Sequence, residues 1–125
     1  MRHAQYRREL ADTVRAATKV ATNIERPDVA PALPALAVTW TGSEMSRGAA
    51  GGWVHSFDVE IRVGETGPAL DELVAIVADT VAAWQPNTSH ASAGPPTVNP
   101  VRVIDGEISY PAVLVSTAVT EPSTD

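Results

Sequence analysis

The residues able to do chemistry are few, and their spacing argues against most of it. Three histidines, His3, His55 and His90, are the candidate metal ligands and general bases. A metal site announces itself as a histidine pair at i,i+4 or as a histidine with a carboxylate at ligand spacing, and none of the three has either. His55 falls between Trp53 and Phe57 on the apolar side of an alternating run, where a packed imidazole with one satisfied nitrogen is expected. Asp58 and Glu60 share the opposite side of that run, the arrangement of paired acids, but no second acidic pair is placed to face them and a solvated strand accounts for them. The glycine-rich stretch Gly48 to Gly52 lacks the Gly-Lys-Ser/Thr ending of a phosphate cradle and leads into a strand instead of opening a helix. Gly42-Ser43 does not fit a nucleophile elbow. With no cysteine in the chain, disulfides, thiolate zinc sites, iron–sulfur clusters and cysteine nucleophiles are excluded. The expectation is no catalytic residue, no metal and no cofactor.

The elements that carry these residues follow from periodicity. The chain has 125 residues, 44% of them hydrophobic and only 5% aromatic, so a single domain over 1–125 with one modest core of small and β-branched groups is expected. Tyr6, Leu10, Val14, Ala17, Ala21 and Ile24 share one side of a helical wheel, with Arg8, Asp12, Arg15 and Lys19 opposite, which predicts an amphipathic helix over about residues 3–25. Pro27, Pro31 and Pro34 end it, and Leu36, Val38 and Trp40 alternate as a strand. Residues 41–52 show no periodicity and read as a flexible loop, with Ser43, Glu44, Met45, Ser46 and Arg47 as a candidate docking segment. From Trp53 to Val63 alternation is strict, apolar on one side and Ser56, Asp58, Glu60 and Arg62 on the other. Pro68 opens a second helix whose stripe is Leu70, Leu73, Val74, Val77, Val81 and Trp84, leaving Asp71, Glu72 and Asp79 outward.

Residues 85–100 read as a long second loop, and the chain closes with a hairpin of Val101–Ile104, an Asp105-Gly106 turn and Ile108–Val119. Both faces of that last strand are largely apolar, so Val113 and Val115 are candidate subunit-interface residues. Residues 121–125 are expected to fray. The fold class is α+β, a mainly antiparallel sheet of about four strands with two helices packed on it, in the order α-β-β-α-β-β. No segment approaches ~20 apolar residues, so neither a membrane span nor a signal peptide is expected.

Charge is divided unevenly. Over residues 1–26, Arg2, Arg7, Arg8, Arg15, Lys19 and Arg26 oppose Glu9, Asp12 and Glu25, a balance of +3, whereas residues 27–125 carry −9 of the total of −6. A basic segment on an acidic chain suits association between copies, with Arg8, Arg15 and Lys19 of one meeting Asp71, Glu72 and Asp79 of another. A single lysine and the acidic total do not suit strong binding to DNA.

Taken together, the amphipathic first helix, the strand LPALAVTW, the long strand GGWVHSFDVEIRVG, the helix PALDELVAIVADTVAAW and the closing VRVIDGEISYPAVLVSTAVT resemble the tail terminator proteins of long, non-contractile-tailed phages, over about residues 3–120. The resemblance implies a structural virion protein, not an enzyme, at the head-proximal end of the tail. There a ring, typically a hexamer, stops polymerisation of the tail tube protein and joins the head-completion or connector protein. It needs no cofactor and no membrane, it is made in the host cytoplasm, and DNA passes through its channel without specific binding. In that setting Asp58, Glu60 and Arg62 are expected to line the channel or another wet face. The alternatives are a head-completion, stopper or minor tail protein and, from a different class, a small-molecule-binding α+β domain.

Overall fold

Helix α1 (His3–Thr18) buries Tyr6, Leu10 and Val14 of the expected stripe together with Ala11, while Ala17 is exposed. The computed structural model describes residues 2–23, 33–45, 52–63, 67–87 and 91–122. The helix stops well before residue 25. Thr18 Oγ1 donates to the Val14 carbonyl at 2.8 Å, and Lys19, at φ 59°, forms a left-handed cap whose N–H reaches the Arg15 carbonyl at 2.7 Å. The chain beyond gives its backbone groups to a sheet instead. The two-residue strand β1 (Thr22–Asn23) runs parallel to β2 (Ala35–Met45), with Thr22 beside Leu36.

β2 continues through much of the expected loop. Its pairing with β3 (Trp53–Arg62) shifts register between Trp40 and Gly42, where Thr41 is the extra residue of a bulge and Gly42 takes φ 151°. Beyond the bulge Ser43, Glu44 and Met45 pair with His55, Val54 and Trp53, so these three belong to a strand and not to a loop. The alternation was hidden because the bulge resets it. Ser46, Arg47 and His90 lie outside the described residues.

Helix α2 (Pro68–Ala83) matches expectation, with Pro68 in its first turn and Leu70, Leu73, Val77 and Val81 buried. The expected loop over residues 85–100 is in part strand. β4 (Ser92–Ala93) and β5 (Thr97–Asp105) lie end to end along one edge of β6 (Ile108–Glu121), interrupted by Gly94, Pro95 and Pro96. Pro100 is tolerated in β5 because an edge strand can do without one N–H. The hairpin turn falls one residue later than expected, with Gly106 at φ 64° and Glu107 between the paired Asp105 and Ile108.

The sheet order is β1-β2-β3-β6-β4, with β5 on the same edge of β6 as β4. The four long strands are antiparallel, as predicted, and the two-residue β1 and β4 are additions to that plan. α2 carries the chain from β3 across to β5, and β6 is then inserted between the two. Both helices pack on one face, over Leu36, Val38, Phe57, Val59, Ile61, Val113, Val115 and Val119. Val113 and Val115, expected at a subunit interface, are therefore sheltered by the chain's own helices. On the other face of β6 Ala112 is buried and Leu114, Ser116 and Ala118 are half-buried.

The start of β3 lies against the end of β6. Gly52 takes φ 102°, and a Cβ there would run into the Glu121 carbonyl oxygen and the Pro122 backbone. Gly52→Ala is expected to cost about 2 kcal/mol or more. Urea unfolding should show a lower midpoint at unchanged slope; an unchanged midpoint would mean that this close approach does not constrain the fold.

Candidate functional site

Three groups of polar residues compete for a functional role, and each is placed by the β2–β3–β6 register. The first lies under α1. His55 is completely buried, with Ser43 Oγ 2.6 Å from its Nδ1 and Glu121 Oε1 2.8 Å from its Nε2. Trp40 Nε1 donates to Ser43 Oγ at 2.9 Å, and the Arg2 backbone N–H donates to Glu121 Oε1 at 3.0 Å. An ionised carboxylate only accepts and an indole N–H only donates, so the partners assign the proton of a neutral imidazole to Nε2 and leave Nδ1 to accept from the serine hydroxyl. Burial pushes the Glu121 carboxyl up, but the hydrogen bonds from His55 and from the Arg2 backbone outweigh it and hold the group below the ordinary carboxylate value.

The expectation of one satisfied nitrogen on His55 gives way to two. Serine, histidine and carboxylate are also the members of a nucleophilic triad. Here the imidazole is inaccessible and the serine oxygen already accepts from the indole, so the bonds tie β2, β3, β6 and the start of α1 together. His3 joins the same cluster, its ring 4.2 Å from that of Trp40 and 6.2 Å from that of His55. Glu121 was missed because the chain was expected to fray there. Continuing the alternation of Val113, Val115, Thr117 and Val119 by one step would have placed it on the same face as His55.

The second group is on the opposite face of the sheet. Arg62 Nε and Nη2 both lie 2.8 Å from Glu60 Oε1, and Arg62 Nη1 donates to the Tyr110 hydroxyl at 2.6 Å. Burial pulls the Arg62 guanidinium down, and the bond and charge of Glu60, with Tyr110, more than offset it, so its pKa is raised. Ser116 Oγ donates to Asp58 Oδ1 at 2.6 Å. The expectation that Asp58, Glu60 and Arg62 form one wet face is corrected for two of them. Glu60 and Arg62 are only 4% and 6% exposed, and Asp58 is half-buried. Strand alternation shows which face a residue takes but not that a neighbouring arginine and tyrosine close over a carboxylate.

The third group is the outward side of the helices. Arg8, Arg15 and Lys19 are exposed on or at the end of α1, and Asp71, Glu72 and Asp79 are exposed on α2. Arg15 pairs with Asp12 one turn earlier at 2.8 Å, both well exposed, a contact that contributes little. Lys19 differs from expectation only in standing in the cap. The structure thus brings Ser43 to His55 and Glu60 to Arg62, and leaves the charged residues of the two helices facing solvent. Among the described residues there is no group of three or more His, Cys, Asp or Glu side chains able to hold a metal ion, and no helix is long and apolar enough to cross a membrane.

The fold is similar to one found in a chain of a virion particle. The chain superimposes on a chain of the virion of a native gene transfer agent particle with a TM-score of 0.54 and 18% identity, covering 88% of this chain and 84% of that one. At that identity the likeness is one of fold. No protein-family model matches the sequence, and no curated protein does.

Two outcomes test these assignments. Because the Glu121 pKa is lower in the folded than in the unfolded chain, its stabilisation is complete above the ordinary carboxylate range and is lost as pH falls through the folded value. Glu121→Gln should therefore cost about 2 kcal/mol at neutral pH, with a gap to the parent that narrows in acid, measured by urea unfolding across pH. On the other face, Arg62→Met strands a buried carboxylate and should cost about 3–5 kcal/mol, whereas Arg62→Met with Glu60→Leu should recover most of that loss.

Proposed function

We propose that this chain is a structural virion protein, and within that class the tail terminator, a ring at the head-proximal end of the tail that stops tube polymerisation and meets the head connector. The observation that carries the reading is the fold shared over nearly the whole length of both chains with a component of a virion particle. The resemblance to tail terminators in the order and character of the elements narrows it further. In this role the protein acts through its surfaces and not by catalysis, and its partners are its own copies, the tail tube and the head-completion protein.

A ring is built from a heterologous contact, in which two different patches of one chain meet around the circle. The helix layer supplies two unlike patches, basic on α1 and acidic on α2. Coulomb attraction between exposed groups is screened by salt, so it steers and registers the contact while apolar burial holds it.

Electron microscopy of the purified protein should show closed rings of one size; a chain that stays monomeric at every concentration overturns the proposal. Arg15→Glu with Lys19→Glu should abolish the rings, and Asp71→Lys with Glu72→Lys in the same chain should restore them. Rings that persist unchanged in the first variant at low and high salt would show that these charges do not form the contact.

A further inference from the structure

Between the end of α1 and the start of α2 the helix layer leaves a hollow of about 350 Å³. Its walls are apolar, from Val20, Leu33, Val63, Leu73 and Ile76 among others, and the one charged residue that lines it is Glu72. Glu72 pairs with no cation among the described residues. Five large apolar side chains are exposed among the described residues. Leu33 and Ile76 belong to this hollow, Val98 and Ile104 stand on β5, and Met45 ends β2 at the other end of the sheet. Ile104 is the most exposed of them, at 72%. The register of β5 with β6 puts it on the helix side together with Arg102, which is also exposed and gives its Nε–H to Ser109 Oγ at 3.0 Å.

We infer that this hollow is the seat of Ile104 from a second copy, with Arg102 of that copy set against Glu72; the inference rests on the ring reading above and names a contact within it. A chain does not fill its own hollow. β6 lies between β3 and β5, so Ile104 stands two strand spacings, about 10 Å, from the strand that leads to Val63. The occupant follows from size and charge. A hollow of this volume admits one or two side chains and excludes a helix, which is about 10 Å across. Of the exposed apolar residues outside it, Met45 follows Glu44, whose charge repels Glu72, and Val98 has only Pro96 and Pro100 beside it on its face. Ile104 alone brings a cation, two residues and about 7 Å along the strand. Burial of Ile104 holds the contact, and the Arg102–Glu72 pair at the rim orients it. Knob and hollow are different patches, so the contact is heterologous. Both lie at the end of the sheet where β3 and β5 finish and β6 begins. A neighbour therefore makes the contact with little shift along the strands, which suits a ring better than a filament.

Because the chain has no cysteine, each introduced thiol is unique. Ile104→Cys and Ala69→Cys, the second at an exposed position on the wall of the hollow, are purified separately, mixed and oxidised. Disulfide-linked heterodimers should form in the mixture, with little product from either variant alone. In parallel, Ile104→Glu should leave the thermal midpoint unchanged and eliminate rings, and Ile104→Leu should keep them. Arg102→Glu should raise the protein concentration at which rings form, and adding Glu72→Arg should lower it again; a swap that restores nothing would overturn the pairing. Homodimers of the Ile104→Cys variant would establish a two-fold contact and overturn the inference. Rings that survive Ile104→Glu would give the hollow to a different partner, overturning the seat while leaving the ring reading intact. A parent protein that forms no rings would remove both.

Discussion

Strand β6 lies between β3 and β5, and its register with β3 is the constraint on which the other arrangements depend. In this register Val113, Val115 and Val119 stand opposite Ile61, Val59 and His55 on the helix side, and Ala112, Leu114 and Ser116 stand opposite Arg62, Glu60 and Asp58 on the other. A slip of one residue would exchange the faces. It would turn three valines away from the helices, carry Glu121 off His55 and separate Ser116 from Asp58. The hydrophobic pattern sets the register, and the polar contacts at either end make every alternative worse.

Those polar contacts divide into two kinds. Around His55 every proton has one place to go: from Trp40 to Ser43, from Ser43 to His55, and from His55 and the Arg2 backbone to Glu121. Such a fully satisfied chain strengthens in a low-dielectric setting and specifies a single arrangement. The Glu60–Arg62 pair, by contrast, carries a desolvation cost that its mutual attraction offsets only because the geometry is good and Tyr110 takes a further guanidinium proton. The first ties the start of α1 to the sheet. The second closes over the small residues Ala35 and Ala112, the neighbours of Arg62 on either side.

Much of this was legible in the sequence, for reasons tied to particular residues. The stripes of both helices and the faces of β3 follow from period alone, since burial of a continuous apolar side is what selects those residues. The α+β class and the four principal antiparallel strands follow in turn. Three features escaped. The bulge at Thr41 breaks period 2 and hid the second half of β2; Pro95, Pro96 and Pro100 disguised an edge strand as a loop; and helix α1 ends in a lysine with positive φ, where a glycine would have marked the stop. At the site, Glu121 is 66 positions from His55, a distance that only strand pairing bridges.

The mismatch between helix layer and sheet has a geometric origin. Helices pack about 8–10 Å apart, and strands about 4.8 Å apart, so two helices cover roughly four strands. Across this sheet there are five positions, counting β4 and β5 as one edge. α1 is pinned over the β1 border because only Lys19, Val20 and Ala21 separate helix from strand. The uncovered position is therefore always β5, where Val98 and Ile104 remain in water. An isologous contact would set that edge against its own copy and leave the β1–β2 border bare. A heterologous contact sets two different borders together and continues from copy to copy, closing into a ring only where the rotation between copies allows it.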